Sequence, residues 1–334
     1  MRTHSEKQSM KLSAKIWNVL ALFAVLVAAA ALLWKGKSAS PLKFVEYSVG
    51  EGKETPIAIA AGKDGSAWFT LDSLPALGVV RQGKLERFKL PTASVEPLGI
   101  GVDPQGQVWT TDASGGAIRR LNAQGEVSAV ALNTPIARLG RLAVGKDGAI
   151  WFAESTAYSF TRLKDGVLTR NVFNSVGGGP YGIALAPSGS AWGTLQSGNQ
   201  IVEIAADGKV SEFDIPTPGS APTDVTVDAN GAVWFVEFRA NKIGRYSQGK
   251  FEEYALPEGA AAPSGIAAAA DGSVWFGVLR GAALGRVRNG IVSIHPLPRP
   301  TARPYSLAAD AAGNIWYADL SGFIGMLPAG QNPK

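Results

Sequence analysis

Short apolar runs alternate with glycine-centred polar turns along most of the chain. Each repeat opens with an apolar run that usually begins at proline and passes through a tight turn of the Asp-Gly type. A run containing tryptophan follows, and two further alternating runs complete the repeat. Apolar runs of about five residues bounded by such turns predict β-strands. The pattern therefore predicts four strands in each repeat.

Tryptophan marks the repeat. Each repeat tryptophan has a glycine three positions before it, and neighbouring ones lie 41 or 42 residues apart: Trp68, Trp109, Trp151, Trp192, Trp234, Trp275 and Trp316. A period of this length with β-rich segments predicts a seven-bladed β-propeller, an all-β fold with one four-stranded blade per repeat. Because tryptophan follows the repeat and not any one blade, we expect it to pack between blades.

The last repeat stops near Leu327, after its third strand. Residues 43–49, at the other end of the propeller sequence, have the alternation of the missing fourth strand. We therefore predict that residues 43–49 form the outer strand of the seventh blade. This pairing closes the ring and leaves no open sheet edge between the two ends.

A long apolar run without charged residues precedes the repeats, with tryptophans at positions 17 and 34 near its ends. Its length is sufficient to span a bilayer, so residues 16–34 are predicted to be a transmembrane anchor. A cleavable signal is the alternative, but Pro41 directly follows the small residues 38–40 and disfavours cleavage there.

The charges around this run predict its orientation. More lysine and arginine precedes the run than follows it, which places residues 1–15 in the cytoplasm. Residues 35–42 then form a linker. The propeller, residues 43–330, is predicted on the periplasmic or extracellular side of the inner (cytoplasmic) membrane.

Charge and cysteine content exclude several classes of site. The whole chain has a net charge of +5, and all of this excess lies within residues 1–37. The propeller is therefore neutral and has no electrostatic footprint for nucleic acid. The absence of cysteine excludes disulfides and thiolate metal sites.

Strand order predicts a ligand site at one face of the ring. The start of each first strand and the end of each tryptophan strand meet there, around the mouth of the central channel. The candidate ligand-binding residues at this mouth are Glu96, Arg138, Arg141, Tyr181, Asp224, Arg303 and Tyr305. The carboxylates of Glu96 and Asp112 could hold a hard cation together, or Glu96 could pair with Arg138.

The repeat motif resembles that of the streptogramin lyase (virginiamycin B lyase) family over residues 43–330. The clearest match is NGAVWFVEFRANKIGRY, residues 230–246. The resemblance implies a propeller that opens a cyclic depsipeptide antibiotic by elimination. It also implies a site in the last blade, with a Glu-Pro-His-Gly-Ile segment and the acid that ends the next tryptophan strand. In the family the two acids hold Mg²⁺ and the histidine is the base.

The last blade departs from this pattern. Arg303 stands where the family has the first metal-binding acid, and Tyr305 stands where it has the base. Ser264 replaces a second histidine in the preceding blade, so Asp319 is the one acid that could still be a ligand. Tyr305 and Tyr181 are weak candidates for an altered catalytic role, because tyrosine has a pKa of about 10.

Neither histidine restores the missing base. His4 precedes the predicted span, and His295 lies on an outer strand in an aromatic packing position. The leading hypothesis is therefore a membrane-anchored binding propeller that holds a small ligand or a protein partner at the channel mouth. The alternatives are a Mg²⁺-dependent lyase acting on a cyclic depsipeptide or a related ester, and a structural scaffold in the cell envelope.

Overall fold

The computed structural model describes residues 42–50, 54–72, 74–91, 96–132, 138–175 and 178–331. These residues belong to a compact unit that begins at Leu42. The predicted anchor and the segment before it lie outside the described residues, as does the predicted linker except for its last residue. Within the described part of the chain, no helix is long and apolar enough to cross a membrane.

The described residues form seven antiparallel sheets of four strands each, which confirms the predicted propeller. Blade 1 comprises β2 (Pro56–Ala61), β3 (Ala67–Leu71), β4 (Ala76–Arg81) and β5 (Lys84–Lys89). Blade 2 comprises β6 (Pro97–Val102), β7 (Val108–Asp112), β8 (Ala117–Leu121) and β9 (Val127–Ala131). Blade 3 comprises β10 (Leu139–Val144), β11 (Ile150–Glu154), β12 (Ser159–Lys164) and β13 (Val167–Val172). Blade 4 comprises β14 (Pro180–Leu185), β15 (Ala191–Leu195), β16 (Gln200–Ile204) and β17 (Val210–Asp214).

The remaining blades follow the same order. Blade 5 comprises β18 (Pro222–Val227), β19 (Val233–Glu237), β20 (Lys242–Ser247) and β21 (Lys250–Ala255). Blade 6 comprises β22 (Ala261–Ala268), β23 (Val274–Arg280), β24 (Ala283–Arg288) and β25 (Ile291–Pro296). Blade 7 comprises β26 (Pro304–Ala309), β27 (Ile315–Asp319), β28 (Phe323–Leu327) and β1 (Val45–Ser48). Two 3-10 turns, Ser155–Ala157 and Ala329–Gln331, complete the described elements.

Strand β1 closes the ring as predicted. It pairs antiparallel with β28, with Val45 opposite Met326 and Ser48 opposite Phe323. The outer strand of blade 7 therefore comes from the N-terminal end of the propeller and its other three strands from the C-terminal end. Closure of this kind leaves neither end of the chain with an unpaired sheet edge.

The repeat tryptophans lie in the contacts between blades. Trp68 of blade 1 packs with Ile100 and Val108 of blade 2, and Trp234 of blade 5 packs with Ile266 of blade 6. Trp68 and Trp234 are at most 7% exposed. Large aromatic side chains supply most of the apolar area at such contacts, so the tryptophans hold the blades together.

A bulge at the start of each first strand shapes the mouth. In all seven blades the register between the first and second strands shifts, after the opening residue in six blades and after Pro263, the third residue of β22, in blade 6. A bulge re-aims the side chains that follow it. The two residues that follow this shift point in each blade therefore set which side chains enter the channel.

Candidate ligand site at the channel mouth

A pair of tyrosines bridges the channel. Tyr181 is the second residue of β14 in blade 4, and Tyr305 is the second residue of β26 in blade 7. Their hydroxyl oxygens lie 2.6 Å apart and share a hydrogen bond. Because blades 4 and 7 lie on different sides of the ring, this bond connects opposite walls of the mouth.

Arg141 lies against both tyrosine rings. Its Cζ atom is 5.3 Å from the ring centroid of Tyr305 and 6.0 Å from that of Tyr181. Its Nη1 atom donates a hydrogen bond of 3.2 Å to Ser306 Oγ in blade 7. The arginine is only 8% exposed, so a guanidinium from blade 3 is buried in the channel.

The charge of Arg141 is balanced at a distance. Burial by itself would lower the pKa of Arg141, but Asp224 and the two tyrosines outweigh it and raise that pKa. Asp224 does not form an ion pair with it, and its Oδ2 atom accepts a hydrogen bond of 3.2 Å from the backbone N–H of Ile266. Within the described residues, the ion pairs do not include Arg141.

Tyr181 does not have the protonation state of a base. Burial raises the pKa of Tyr181, and the nearby hydroxyl of Tyr305 adds to this increase while the charge of Arg141 opposes it. A phenol with a raised pKa stays protonated near neutral pH and can donate a hydrogen bond. Tyr181 therefore suits a role in binding.

The remaining predicted binding residues lie at the rim. Glu96, Arg138 and Arg303 each directly precede or begin a first strand, and all three are exposed. Within the described residues, no ion pair joins Glu96 to Arg138. The rim thus presents two arginines and one glutamate to solvent.

The acid in the last blade has a full set of partners. Asp319 is completely buried, and its Oδ2 atom lies 2.6 Å from Nη2 of Arg299. Its Oδ1 atom accepts hydrogen bonds from the backbone of Arg303 at 2.9 Å and from the hydroxyl of Ser321 at 2.7 Å. A carboxylate already neutralised by a bonded arginine does not suit a dication, so Asp319 does not fit Mg²⁺.

The acid pair in blade 2 does not fit a metal either. Asp112 Oδ2 accepts hydrogen bonds from Arg119 Nε at 3.0 Å and from Arg119 Nη2 at 2.8 Å, and Asp112 is completely buried. Its Oδ1 atom accepts from the backbone of Gly115 at 2.8 Å. Glu96 itself is exposed, so the two carboxylates differ in surroundings and only Glu96 is available. Groups of three or more metal-binding side chains are absent from the described residues.

Neither Ser264, which replaces an expected histidine, nor His295 is placed to act as a base. Ser264 is 4% exposed, and its hydroxyl donates a 2.6 Å hydrogen bond to the carbonyl of Pro304. His295 lies on the outer strand β25, where its ring centroid is 5.3 Å from that of Trp275. Burial and then the charge of Arg286 lower the pKa of His295, which keeps it neutral in a packing position.

Two residues of this region were not predicted from the sequence. Ser306 is the third residue of β26, and its repeat position could have identified it as a channel residue. Arg299 lies between blades 6 and 7 at no repeat position, so no pattern in the sequence points to its contact with Asp319.

Comparisons with known proteins agree with the fold and the motif. The model of the virginiamycin B lyase family matches residues 36–163 and 96–330. A virginiamycin B lyase of Nocardia farcinica is 34% identical over 192 residues, which are 57% of this chain and 65% of that protein. The aligned part thus spans just under two thirds of that relative's length.

Solved structures are similar over nearly their whole length. A catalytically inactive virginiamycin B lyase from Staphylococcus aureus with quinupristin has a TM-score of 0.80 and 28% identity, covering 86% of this chain and 99% of that one. A streptogramin B lyase structure has a TM-score of 0.81 at 28% identity, with 85% and 97% covered. With seven blades, the shared motif and the family match together, this chain belongs to the virginiamycin B lyase family.

Proposed function

We propose that this chain is a binding member of the family, which holds a small ligand or a protein segment at the channel mouth without lyase activity. The observation that carries the proposal is the Tyr181–Tyr305 hydrogen bond with Arg141 against both rings. These side chains fill the centre of the mouth with hydrogen-bonding groups. Such a cluster suits recognition of a polar ligand.

Among the described residues of the mouth, the groups at the family's catalytic positions are bonded to other side chains. Elimination next to a carbonyl needs a base that removes the α-proton. It also needs a positive charge beside the enolate to stabilise its developing negative charge, which a metal ion supplies in the family. Tyr305 stands at the base position, and its hydroxyl is bonded to Tyr181. Asp319, the remaining acid, is bonded to Arg299. This arrangement favours binding over catalysis.

The cellular location is part of the same proposal. The apolar run 16–34 would anchor the chain in the inner membrane, with the propeller on the periplasmic or extracellular side. A membrane fraction washed at alkaline pH should retain the full chain. Protease added to spheroplasts should digest the propeller, whereas protection from protease would contradict this orientation.

The test of the catalytic part is a turnover assay of the full chain with quinupristin and Mg²⁺, with chromatography of the cyclic and opened forms. The lyase from Staphylococcus aureus serves as the positive control. We expect no opened product above the no-protein control over several hours. Ring opening by this chain would refute the proposal, and loss of that activity in Tyr305→Phe would then assign the base.

A further inference from the structure

Arg141 occupies a repeat position where four of the other six blades have glycine or alanine. The residues two positions after the repeat proline, or after Leu139 in blade 3, are Ala58, Gly99, Arg141, Gly182, Asp224, Gly265 and Ser306. At Gly99 and Gly265 an added Cβ would collide with the backbone of the next blade. Arg141 is thus an arginine at a crowded inner position, and its side chain extends to Ser306 and Tyr305 in blade 7.

Arg141 differs in its partners from Arg119 and Arg299, two partly buried arginines. Arg119 bonds Asp112, and Arg299 bonds Asp319, each with a direct carboxylate contact. Arg141 is 8% exposed and has a hydroxyl and two aromatic faces. A buried guanidinium without an anion is costly because the lost water is not fully replaced. A carboxylate bonded directly to Arg141 would supply the anion contact that Arg119 and Arg299 already have.

The neighbouring groups select the kind of anion. A guanidinium binds a carboxylate through two parallel N–H···O bonds, and hydroxyls of Ser306 and Tyr305 can supply further donors. The charge of Asp224 also acts on Arg141, so a dianion would be repelled more strongly than a monoanion. The exposed arginines 138 and 303 at the rim would attract an anion from solvent.

We propose that the mouth binds the carboxylate of a monoanionic ligand, a small organic acid or a peptide C-terminus, with Arg141 as its receptor. This inference rests on the proposed function, because it takes the mouth as a ligand site. It adds the chemical class of the ligand and the residue that recognises it.

The experiment is calorimetric titration of the full chain with four probes: acetate, N-acetyl-dialanine with a free carboxylate, the same dipeptide as its C-terminal amide, and inorganic phosphate. We expect the free acid to bind at least tenfold more tightly than the amide, and phosphate to bind more weakly than the carboxylates. Acetate binding as tightly as the dipeptide acid would assign a small organic acid. Tighter binding of the dipeptide acid would assign a peptide C-terminus.

Variants separate recognition from folding. Arg141→Met should weaken binding of the free acid at least tenfold. The matched control is Arg120→Met, because Arg120 also bonds a serine hydroxyl, Ser128 at 3.2 Å, and stacks at 5.5 Å on Trp109 in an outer part of blade 2. That control should leave binding unchanged. If Arg141→Met does not fold, Ser306→Ala keeps the guanidinium and should weaken binding several-fold.

The inference is overturned if the amide binds as tightly as the acid, or if no carboxylate binds. Unchanged binding by folded Arg141→Met would also overturn it. These outcomes leave the binding proposal itself standing, since that proposal is decided by ring opening of quinupristin. Equal binding of the acid and the amide would support a ligand site at the mouth that does not recognise the carboxylate charge.

Discussion

Blades 5 and 7 place the same kinds of group at the end of the tryptophan strand but pair them differently. In blade 7, Arg299 bonds Asp319 at 2.6 Å through Nη2 and Glu46 at 2.9 Å through Nε. Tyr317 donates a further hydrogen bond of 2.9 Å to Glu46. One arginine thus neutralises two carboxylates, and each of its three guanidinium nitrogens has a hydrogen-bond partner.

Blade 5 has two carboxyls and a lysine. Glu237 ends β19 as Asp319 ends β27, and Glu253 lies on the outer strand as Glu46 does. Lys242 Nζ bonds Glu253 and the hydroxyl of Thr217, each at 2.7 Å. Glu237 is completely buried, and within the described residues its two carboxyl oxygens have no hydrogen-bond partner.

The protonation of Glu237 reflects this arrangement. Burial, and next the charge of Glu253, raise the pKa of Glu237 to about 7, and Lys242 compensates only part of this. The pKa of Glu253 is instead lowered, because its hydrogen bonds to Lys242 and Thr217 outweigh its burial. One planar guanidinium thus bonds two carboxylates in blade 7, whereas the ammonium of Lys242 in blade 5 bonds one carboxylate, that of Glu253.

The largest expected effect comes from breaking the blade 7 arrangement. Arg299→Met leaves Asp319 buried without its cation, which should lower the free energy of unfolding at pH 7 by about 3–5 kcal/mol. Denaturant unfolding of the full chain measures this. The matched control is Arg245→Met, whose pair with the half-exposed Glu252 lies on the outer surface and should cost at most about 1 kcal/mol. Equal losses in both variants would refute this account.

The next effect comes from removing the unpartnered carboxyl of blade 5. A carboxyl that is protonated when folded and ionised when unfolded destabilises the protein as pH rises from about 4.5 to about 7. Glu237→Gln removes this difference in protonation between the folded and unfolded states. It should therefore raise the free energy of unfolding by about 2 kcal/mol at pH 8 and by little at pH 4.

The control for Glu237→Gln is the same change in blade 3. Glu154 is equally buried but bonds Arg170 at 3.0 Å and the hydroxyl of Thr161 at 2.8 Å. Glu154→Gln should therefore destabilise the propeller at pH 8. Denaturant unfolding at pH 4, 6 and 8 gives both profiles, and a loss of stability in both variants would show that Glu237 has a partner after all.

The sequence was sufficient for the ring but not for these pairings. Seven tryptophans at a constant period and a last repeat without its fourth strand determined the blade count and the closure by β1. Those signals are repetitive and depend on backbone periodicity. The pairing of Asp319 with Arg299 depends on the reach of a side chain from a connection between blades, which no period describes.

The residues of the channel mouth could be predicted from the sequence in part: their position in the ring could, but their contacts could not. Repeat position placed Arg141, Tyr181 and Tyr305 at one face, and the structure brings these three into contact. The contact of Arg141 with Ser306 joins residues 165 positions apart, from blades that are not neighbours. Only the closed ring brings them together, so sequence proximity could not indicate it.

The smallest effect would come from giving blade 5 the cation type of blade 7. In Lys242→Arg, a planar fork on β20 could bond Glu253 and reach Glu237, which stands opposite position 242 in the strand pairing. A second partner for Glu237 would lower its pKa, so we expect about 1 kcal/mol of added stability at pH 8. In the Glu237→Gln background most of this gain should disappear, because that substitution removes the carboxylate that the new arginine would bond. The double-mutant cycle measures this coupling. An equal gain in both backgrounds would mean that the arginine acts through Glu253 alone, and the difference between the blades would then lie in position and not in the type of cation.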